Sequence, residues 1–200
     1  MIMEFKSFII ILMGAVLVNN YVLRSFLGIC PFLGVSKDFR NSVGMGIAVI
    51  FVMLLATAAT WPIQRYLLNP NGLVFMQTVV FILVIATLVQ LTEIILKKYI
   101  PALYKSLGVY LPLITTNCAV LACTISNIKH EYSFLQALVN ALGSGLGFLV
   151  AMVLFTNIRK ATEAANPPEP FKGAPITLIS AAILSLAFYA FDGVIENLFR

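Results

Sequence analysis

The stretch GMGIAVIFVML, residues 44–54, has a near copy in the second half of the chain, GLGFLVAMVLF at residues 145–155. The two stretches share both glycines and two valines at equivalent positions. Small residues inside an apolar run are typical of helices that pack closely within a membrane. The repetition therefore predicts one membrane domain, residues 1–200, built from two related halves at approximately 1–98 and 101–200.

The composition of the whole chain supports a membrane location. Of its 200 residues, 60% are hydrophobic and 10% are charged, and the mean hydropathy is +0.98. A soluble domain cannot place that much apolar surface in one core, so the sequence predicts an integral membrane protein. No alternating strand pattern is present, which leaves an all-α fold. Runs long enough for a helix to cross about 30 Å of hydrocarbon lie at approximately 5–34, 43–62, 73–96, 102–127, 134–157 and 174–199.

The basic residues predict the orientation of these six spans. The net charge is +5, but the basic residues are scattered at the span ends and form no stripe, so no nucleic-acid partner is expected. Because cytoplasmic loops are rich in Lys and Arg, the more basic side should be cytoplasmic and both termini extracytoplasmic. The more basic side carries Lys37, Arg40, Lys97, Lys98, Lys105, Arg159, Lys160 and Lys172. The other side carries Lys6, Arg65, Lys129 and Arg200.

Six spans divide into two groups of three, and an odd number of spans per half has a consequence for topology. The second half must enter the membrane upside down relative to the first, which makes an inverted repeat with a pseudo-two-fold axis in the membrane plane. The first span of each half carries a cysteine, Cys30 in FLGICPFLGVS (26–36) and Cys118 in LITTNCAVLAC (113–123). These two cysteines are counterparts and should approach the midplane from opposite sides.

Both cysteine motifs contain residues that interrupt a helix. Pro31 lacks a backbone donor and Gly28 relaxes the backbone before it. In the second motif Pro112 precedes three polar residues that can satisfy freed backbone groups. Those three residues are Thr115, Thr116 and Asn117. The motifs therefore predict that the first span of each half consists of two half-helices that meet at the cysteine.

Two matched thiols suggest a metal or cluster site that this chain cannot complete alone. Thiolates favour iron-sulfur clusters, zinc or Cu(I), and such sites commonly use four ligands, so a second chain would supply the missing pair. Cys123 lies five residues after Cys118, which turns it to a different helix face and favours a packing role.

Asn19 and Asn20, inside the first span, either hydrogen-bond between helices or line an ion path. Two alternatives stay open, a secondary transporter and a structural scaffold.

Three segments resemble a known family over nearly the whole chain. They are VLVNNYVLRSFLGICPFLGVSK (16–37), LPLITTNCAVL (111–121) and PFKGAPITLISAAILSLAF (170–188). They resemble the RnfA/NqrE family, whose members are subunits of the Rnf ferredoxin:NAD oxidoreductase or of the sodium-pumping NADH:quinone oxidoreductase. The residues VNN (18–20) before the first cysteine and GVSK (34–37) after it favour the RnfA members. An NqrE-type protein is the alternative.

The resemblance implies a cofactor, partners and a location. In this family a six-span subunit pairs with a homologue of opposite orientation, RnfE, and each supplies two cysteines to a shared [2Fe-2S] cluster. The matching ligands here are Cys30 and Cys118, and Thr115, Thr116 and Asn117 become candidates for hydrogen bonds to the cluster sulfurs. The complex, with RnfB, RnfC, RnfD and RnfG, couples electron flow to Na+ or H+ movement across the cytoplasmic (inner) membrane of a bacterium or archaeon. No catalytic residue is expected in this chain, which is part of an enzyme only as a subunit of the oxidoreductase complex.

Overall fold

The computed structural model describes residues 2–36, 38–70, 72–99, 117–165 and 168–190. In these ranges every regular element is helical, as the sequence predicted. The α-helices are α1 (Ile2–Met13), α2 (Tyr21–Ser25), α3 (Ile29–Val35), α4 (Phe39–Ile63), α5 (Gln77–Tyr99), α6 (Cys118–Lys129), α7 (Phe134–Ala164) and α8 (Ala174–Tyr189). Two π-helical turns follow α1 and α4, at Gly14–Val18 and Gln64–Leu68, and short 3₁₀ turns lie at Val74–Met76 and Glu169–Phe171.

Several of these helices are apolar enough to span a membrane. Among the described residues, three helical runs have the length and composition for a crossing, at Phe39–Leu68, Val74–Ile95 and Phe134–Thr162. Two shorter helices, α6 and α8, are also apolar, and they cover parts of the spans predicted at 102–127 and 174–199. The chain is therefore a multi-pass membrane protein.

Helices α4 and α7 form the centre of the fold and run antiparallel to each other. At one end the hydroxyls of Ser42 and Thr156 are 2.8 Å apart. At the other end the indole nitrogen of Trp61 donates to the carbonyl oxygen of Tyr132, just before α7 begins, at 2.9 Å. Residue numbers rise along α4 while those of the contacting residues fall, so the two helices lie side by side over nearly their full length.

Glycines of the repeated stretches allow α4 and α7 to approach closely. A Cβ atom on Gly46 would lie 2.5 Å from the Leu149 side chain, and a Cβ on Gly145 would lie 2.8 Å from the Ile50 side chain. Neither position has room for a larger residue without displacement of its neighbour. The near copies at 44–54 and 145–155 thus contact each other, because each supplies a glycine that receives a bulky side chain from the other.

The loops group at two ends of the helix bundle. At one end the Arg159 guanidinium donates to the Ser36 hydroxyl at 2.9 Å, which joins the end of α7 to the loop after α3. At the opposite end Arg65 and Tyr132 line the same cavity. The start of α4, with Arg40, and the end of α7, with Arg159 and Lys160, therefore share one end of the bundle, and the turns with Arg65 and Tyr132 share the other.

Candidate site at the two cysteine motifs

The first cysteine motif lies in a helix that is interrupted twice. Helix α1 ends in the π-helical turn, where the Asn19 amide donates to the Gly14 carbonyl at 2.7 Å. Helix α2 ends at Phe26, and both Phe26 and Gly28 have positive φ angles, of 52° and 81°. Helix α3 then begins at Ile29. The interruption predicted in this span is therefore present among the described residues.

The position of the interruption differs from the prediction. We expected two half-helices to meet at Cys30 because Pro31 follows it, but Cys30 and Pro31 both lie in the first turn of α3. Amide groups in a first turn have no intrahelical acceptor, so a proline there removes no hydrogen bond. Pro31 therefore helps to start α3, and the break lies just before the cysteine.

Asn20 joins the first interruption to α7. Its side-chain oxygen accepts hydrogen bonds from the amides of Val22 and Leu23, at 3.1 and 3.4 Å, and so caps α2. Its side-chain nitrogen donates to the carbonyl oxygen of Gly147 at 2.8 Å. Of the two roles considered for this asparagine, helix-to-helix hydrogen bonding is the one observed. The cap holds the broken segment in a fixed position against the central helix pair.

The second cysteine motif starts a helix in a similar way. Cys118 is the first residue of α6. Asn117 is the N-cap, and its side-chain oxygen accepts from the amide of Ala119 at 3.0 Å. Pro112, Thr115 and Thr116 lie outside the described residues, so Asn117 is the member of the predicted polar group that the structure places. Both cysteines thus belong to the first turn of a helix.

The fold brings the two motifs into direct contact. The backbone amide of Gly28 donates to the Cys118 sulfur at 2.8 Å, although the two residues are 90 positions apart in the chain. A Cβ atom on Gly28 would lie 2.9 Å from the Asn117 side-chain oxygen and 3.2 Å from the Ala119 Cβ. Only glycine fits at position 28, because a Cβ atom would lie too close to these neighbours and because the φ angle is positive. Cys30, two residues after Gly28, therefore belongs to the same region as Cys118.

The three cysteines differ in their exposure. Cys30 and Cys118 are free and exposed, whereas Cys123 is free and wholly buried in the hydrophobic core. We expect this arrangement if Cys30 and Cys118 face a second subunit and Cys123 packs inside this chain. Within the described ranges no group of three or more His, Cys, Asp or Glu residues could hold a metal ion.

The groups around the two thiols fit an iron-sulfur cluster. Thiolates are its usual ligands, and hydrogen bonds to its sulfur atoms tune its potential. The Asn117 side-chain nitrogen is buried and has no hydrogen-bond partner among the residues described. An amide donor left unpaired beside Cys118 is suited to a sulfur acceptor. The Gly28 amide was not predicted as a donor from the sequence, although a glycine two residues before a cysteine was the available signal.

The chain is similar to known membrane proteins over nearly its whole length. A family model described as "Rnf-Nqr subunit, membrane protein" matches residues 8–195. The chain is 53% identical over 192 residues to the A subunit of the ion-translocating oxidoreductase complex of Syntrophotalea carbinolica, covering 96% of this chain and 100% of that protein. It is 52% identical over 188 residues to the A subunit of the Na(+)-translocating ferredoxin:NAD(+) oxidoreductase complex of Acetobacterium woodii, covering 94% and 98%. The corresponding protein of Vibrio cholerae is 45% identical over 190 residues, covering 95% and 98%.

The family match spans nearly the whole chain and includes both cysteine motifs, and the relatives are matched over almost their full lengths. The chain therefore belongs to the Rnf-Nqr family of membrane subunits.

Proposed function

We propose that this chain is an electron-transfer subunit of an ion-translocating ferredoxin:NAD+ oxidoreductase, and that Cys30 and Cys118 supply two ligands to a [2Fe-2S] cluster shared with a homologous subunit. The observation that carries the proposal is the hydrogen bond from the Gly28 amide to the Cys118 sulfur, because it joins two exposed thiol motifs from distant parts of the sequence. The names of the relatives from Acetobacterium woodii and Syntrophotalea carbinolica support the same activity.

The protein groups at the site have separate tasks in this proposal. Cys30 and Cys118 hold the cluster, and the Gly28 amide and the Asn117 side-chain nitrogen supply hydrogen-bond donors beside it. When bound, a [2Fe-2S] cluster accepts and passes on one electron. A carrier inside the membrane would divide an electron path across about 30 Å of hydrocarbon into shorter steps.

We also propose that the fold consists of six spans in two inverted repeats. Two observations support this arrangement. The repeated stretches lie on α4 and α7, which run antiparallel as inverted counterparts should. The counterpart cysteines both lie in the first turn of a helix, on α3 and α6.

The partners and the orientation complete the proposal. Because the exposed thiols are half a ligand set, the neighbour must offer two more, and a homologue such as RnfE is the natural source. RnfB, RnfC, RnfD and RnfG would form the rest of the complex. Arg40, at the start of α4, and Arg159 and Lys160, near the end of α7, share one end of the bundle. This supports placing that end at the cytoplasmic side of the cytoplasmic membrane and both termini outside.

We expect this chain to bind no cluster when it is purified alone, because two thiolates are half of the ligand set and face an open surface. Co-expression with the homologous subunit should produce the visible absorbance of an iron-sulfur centre. Iron and acid-labile sulfide analysis of both preparations measures the difference. A stoichiometric cluster that depends on Cys30 in the isolated chain would contradict the shared site.

A pair of substitutions at Asn117 separates its two roles. Asn117→Ala removes the cap of α6, at a cost of about 1 kcal/mol of stability, and also removes the amide donor. Asn117→Asp keeps an oxygen cap but loses the donor and adds negative charge beside the thiolate. We therefore expect Asn117→Asp to retain the thermal stability of the complex and to make the cluster potential more negative.

The potential is measured by redox titration followed by electron paramagnetic resonance. An unchanged potential in Asn117→Asp, with the cluster fully loaded, would show that the side-chain nitrogen of Asn117 does not act on the cluster.

A further inference from the structure

The short helix α3, which carries Cys30, depends on its neighbours for its position. It has seven residues, Ile29–Val35, which make about two turns and a rise of roughly 10 Å. The left-handed backbone at Phe26 and Gly28 comes before it, and a loop separates it from α4, which begins at Phe39. Because neither adjacent helix continues into α3, tertiary contacts must fix where this helix lies.

The start of α3 is held by apolar packing and by the contact at Gly28. The side chains of Ile29 and Leu33 pack against the hydrophobic core. Gly28, just before the helix, lies against Asn117 and donates its amide to the Cys118 sulfur. These contacts fix the beginning of the helix but not its other end.

The end of α3 is held by Arg159 of α7. A guanidinium nitrogen of Arg159 donates to the carbonyl oxygen of Leu33 at 2.8 Å and to the hydroxyl of Ser36 at 2.9 Å. The last carbonyls of a helix have no donor within the helix, so the Leu33 carbonyl is open to one from outside. Arg159 is half-buried and Ser36 is wholly buried. Hydrogen bonds from a charged donor are roughly twice as strong as neutral ones, so this contact is a firm attachment.

The attachment lies one helical turn from the thiol. Leu33 follows Cys30 by three residues, which is about 4.5 Å of helical rise. A rotation or slide of α3 that breaks the hydrogen bonds of Arg159 therefore also moves the Cys30 sulfur. Ligands of a metal site must be held within about 0.5 Å of their working geometry. Cys118 lies on α6, so the contact with Arg159 acts on one of the two thiols.

We propose that Arg159 is a positioning residue for Cys30. By holding the end of α3 against α7, it keeps the Cys30 sulfur where it can bind the shared cluster. The inference rests on the proposed function, because it assumes that Cys30 is a cluster ligand. It adds a residue from α7, a helix that carries neither cysteine motif.

Three variants of the complete complex test this role. Arg159→Met removes the guanidinium group and keeps an unbranched side chain. Ser36→Ala removes one of the two acceptors and leaves every charge unchanged. Lys160→Met is the matched control, because Lys160 is the next residue on α7 and is exposed. The same substitution there removes a positive charge from the same end of the bundle.

Hydrogen exchange followed by mass spectrometry measures the attachment of α3. We expect the α3 amides to exchange about tenfold faster in Arg159→Met, since the loss of two charge-assisted hydrogen bonds favours local opening. Ser36→Ala should increase the rate about threefold, because one of the two bonds remains. Peptides from α6 should stay within about twofold in every variant, as should α3 itself in Lys160→Met.

Two further measurements follow the cluster itself. Electron paramagnetic resonance of the reduced complex reports its geometry, and the rate at which a chelator removes iron reports how firmly it is held. We expect Arg159→Met to give a broader signal and about tenfold faster loss of iron. Ser36→Ala should show smaller changes in the same direction, and Lys160→Met should match the wild type. A residue that only stabilised the bundle would leave the signal of the assembled complex unchanged.

The outcomes separate this inference from the proposed function. Unchanged exchange of α3 in Arg159→Met, or an equal increase in α3 and α6, would overturn the attachment. Faster exchange of α3 with a wild-type signal and wild-type iron loss would overturn the positioning of Cys30. A wild-type complex without an iron-sulfur signal would contradict the proposed function, and the exchange data would still decide whether Arg159 holds α3.

Discussion

Replacing Cys118 by serine is expected to abolish ferredoxin-driven NAD+ reduction and ion transport together in the assembled complex. Serine is nearly the same size as cysteine, so the contact with Gly28 can persist, but a hydroxyl does not replace a thiolate as a ligand to iron in a cluster. Cys30→Ser should have the same effect because it removes the other exposed thiol. Oxidation of NADH by an artificial acceptor at the cytoplasmic subunits should continue, since that reaction does not need this chain.

The third cysteine provides the control for this experiment. Cys123 is buried in the hydrophobic core, so Cys123→Ala should retain the iron and acid-labile sulfide that both serine variants lose. Assembly of each variant is checked by the recovery of all subunits after purification. Full ferredoxin-to-NAD+ turnover in an assembled Cys30→Ser or Cys118→Ser complex would refute the ligand role and favour a scaffold or transporter.

Gly28→Ala is expected to prevent cluster incorporation without removing any thiol. The backbone of Gly28 has a φ of 81°, a conformation that costs a residue with a Cβ roughly 1–2 kcal/mol. The new Cβ would also lie 2.9 Å from the Asn117 side-chain oxygen and 3.1 Å from the Phe148 ring. The two motifs would have to separate, and the hydrogen bond from the Gly28 amide to Cys118 would be lost. The expected result is a large decrease in iron content per assembled complex.

Gly72→Ala is a matched control because it isolates the backbone cost. Gly72 also has a positive φ, of 65°, but a Cβ there would meet nothing within 4 Å. We expect Gly72→Ala to lower thermal stability slightly, by about 1 kcal/mol, and to keep its cluster. If Gly28→Ala and Gly72→Ala retained the same iron content, close packing of the two motifs would not be required for the site.

Much of this protein could be predicted from local patterns. The apolar composition required a membrane, and the absence of alternating strands required helices, because backbone groups in lipid must be paired within the chain. The glycines at 143–147 indicated close helix packing, and Gly145 lies where α4 and α7 meet. The matched positions of Cys30 and Cys118 identified the candidate site, and the distance of Cys123 along the helix indicated its burial.

Other features depend on contacts between residues far apart in the chain, and no local pattern contains them. Pro31 was expected to break a helix, yet it lies in the first turn of α3. The break lies before it, at Phe26 and Gly28, which both have positive φ angles. The Gly28 amide reaches Cys118 although the two residues are 90 positions apart in the chain. Composition determined that the chain is a helical membrane protein, since burial in lipid acts on each segment separately, and spacing identified Cys30 and Cys118 as candidate ligands. Only the tertiary packing decided which donor faces the Cys118 sulfur, because hydrogen-bond partners depend on distances between segments.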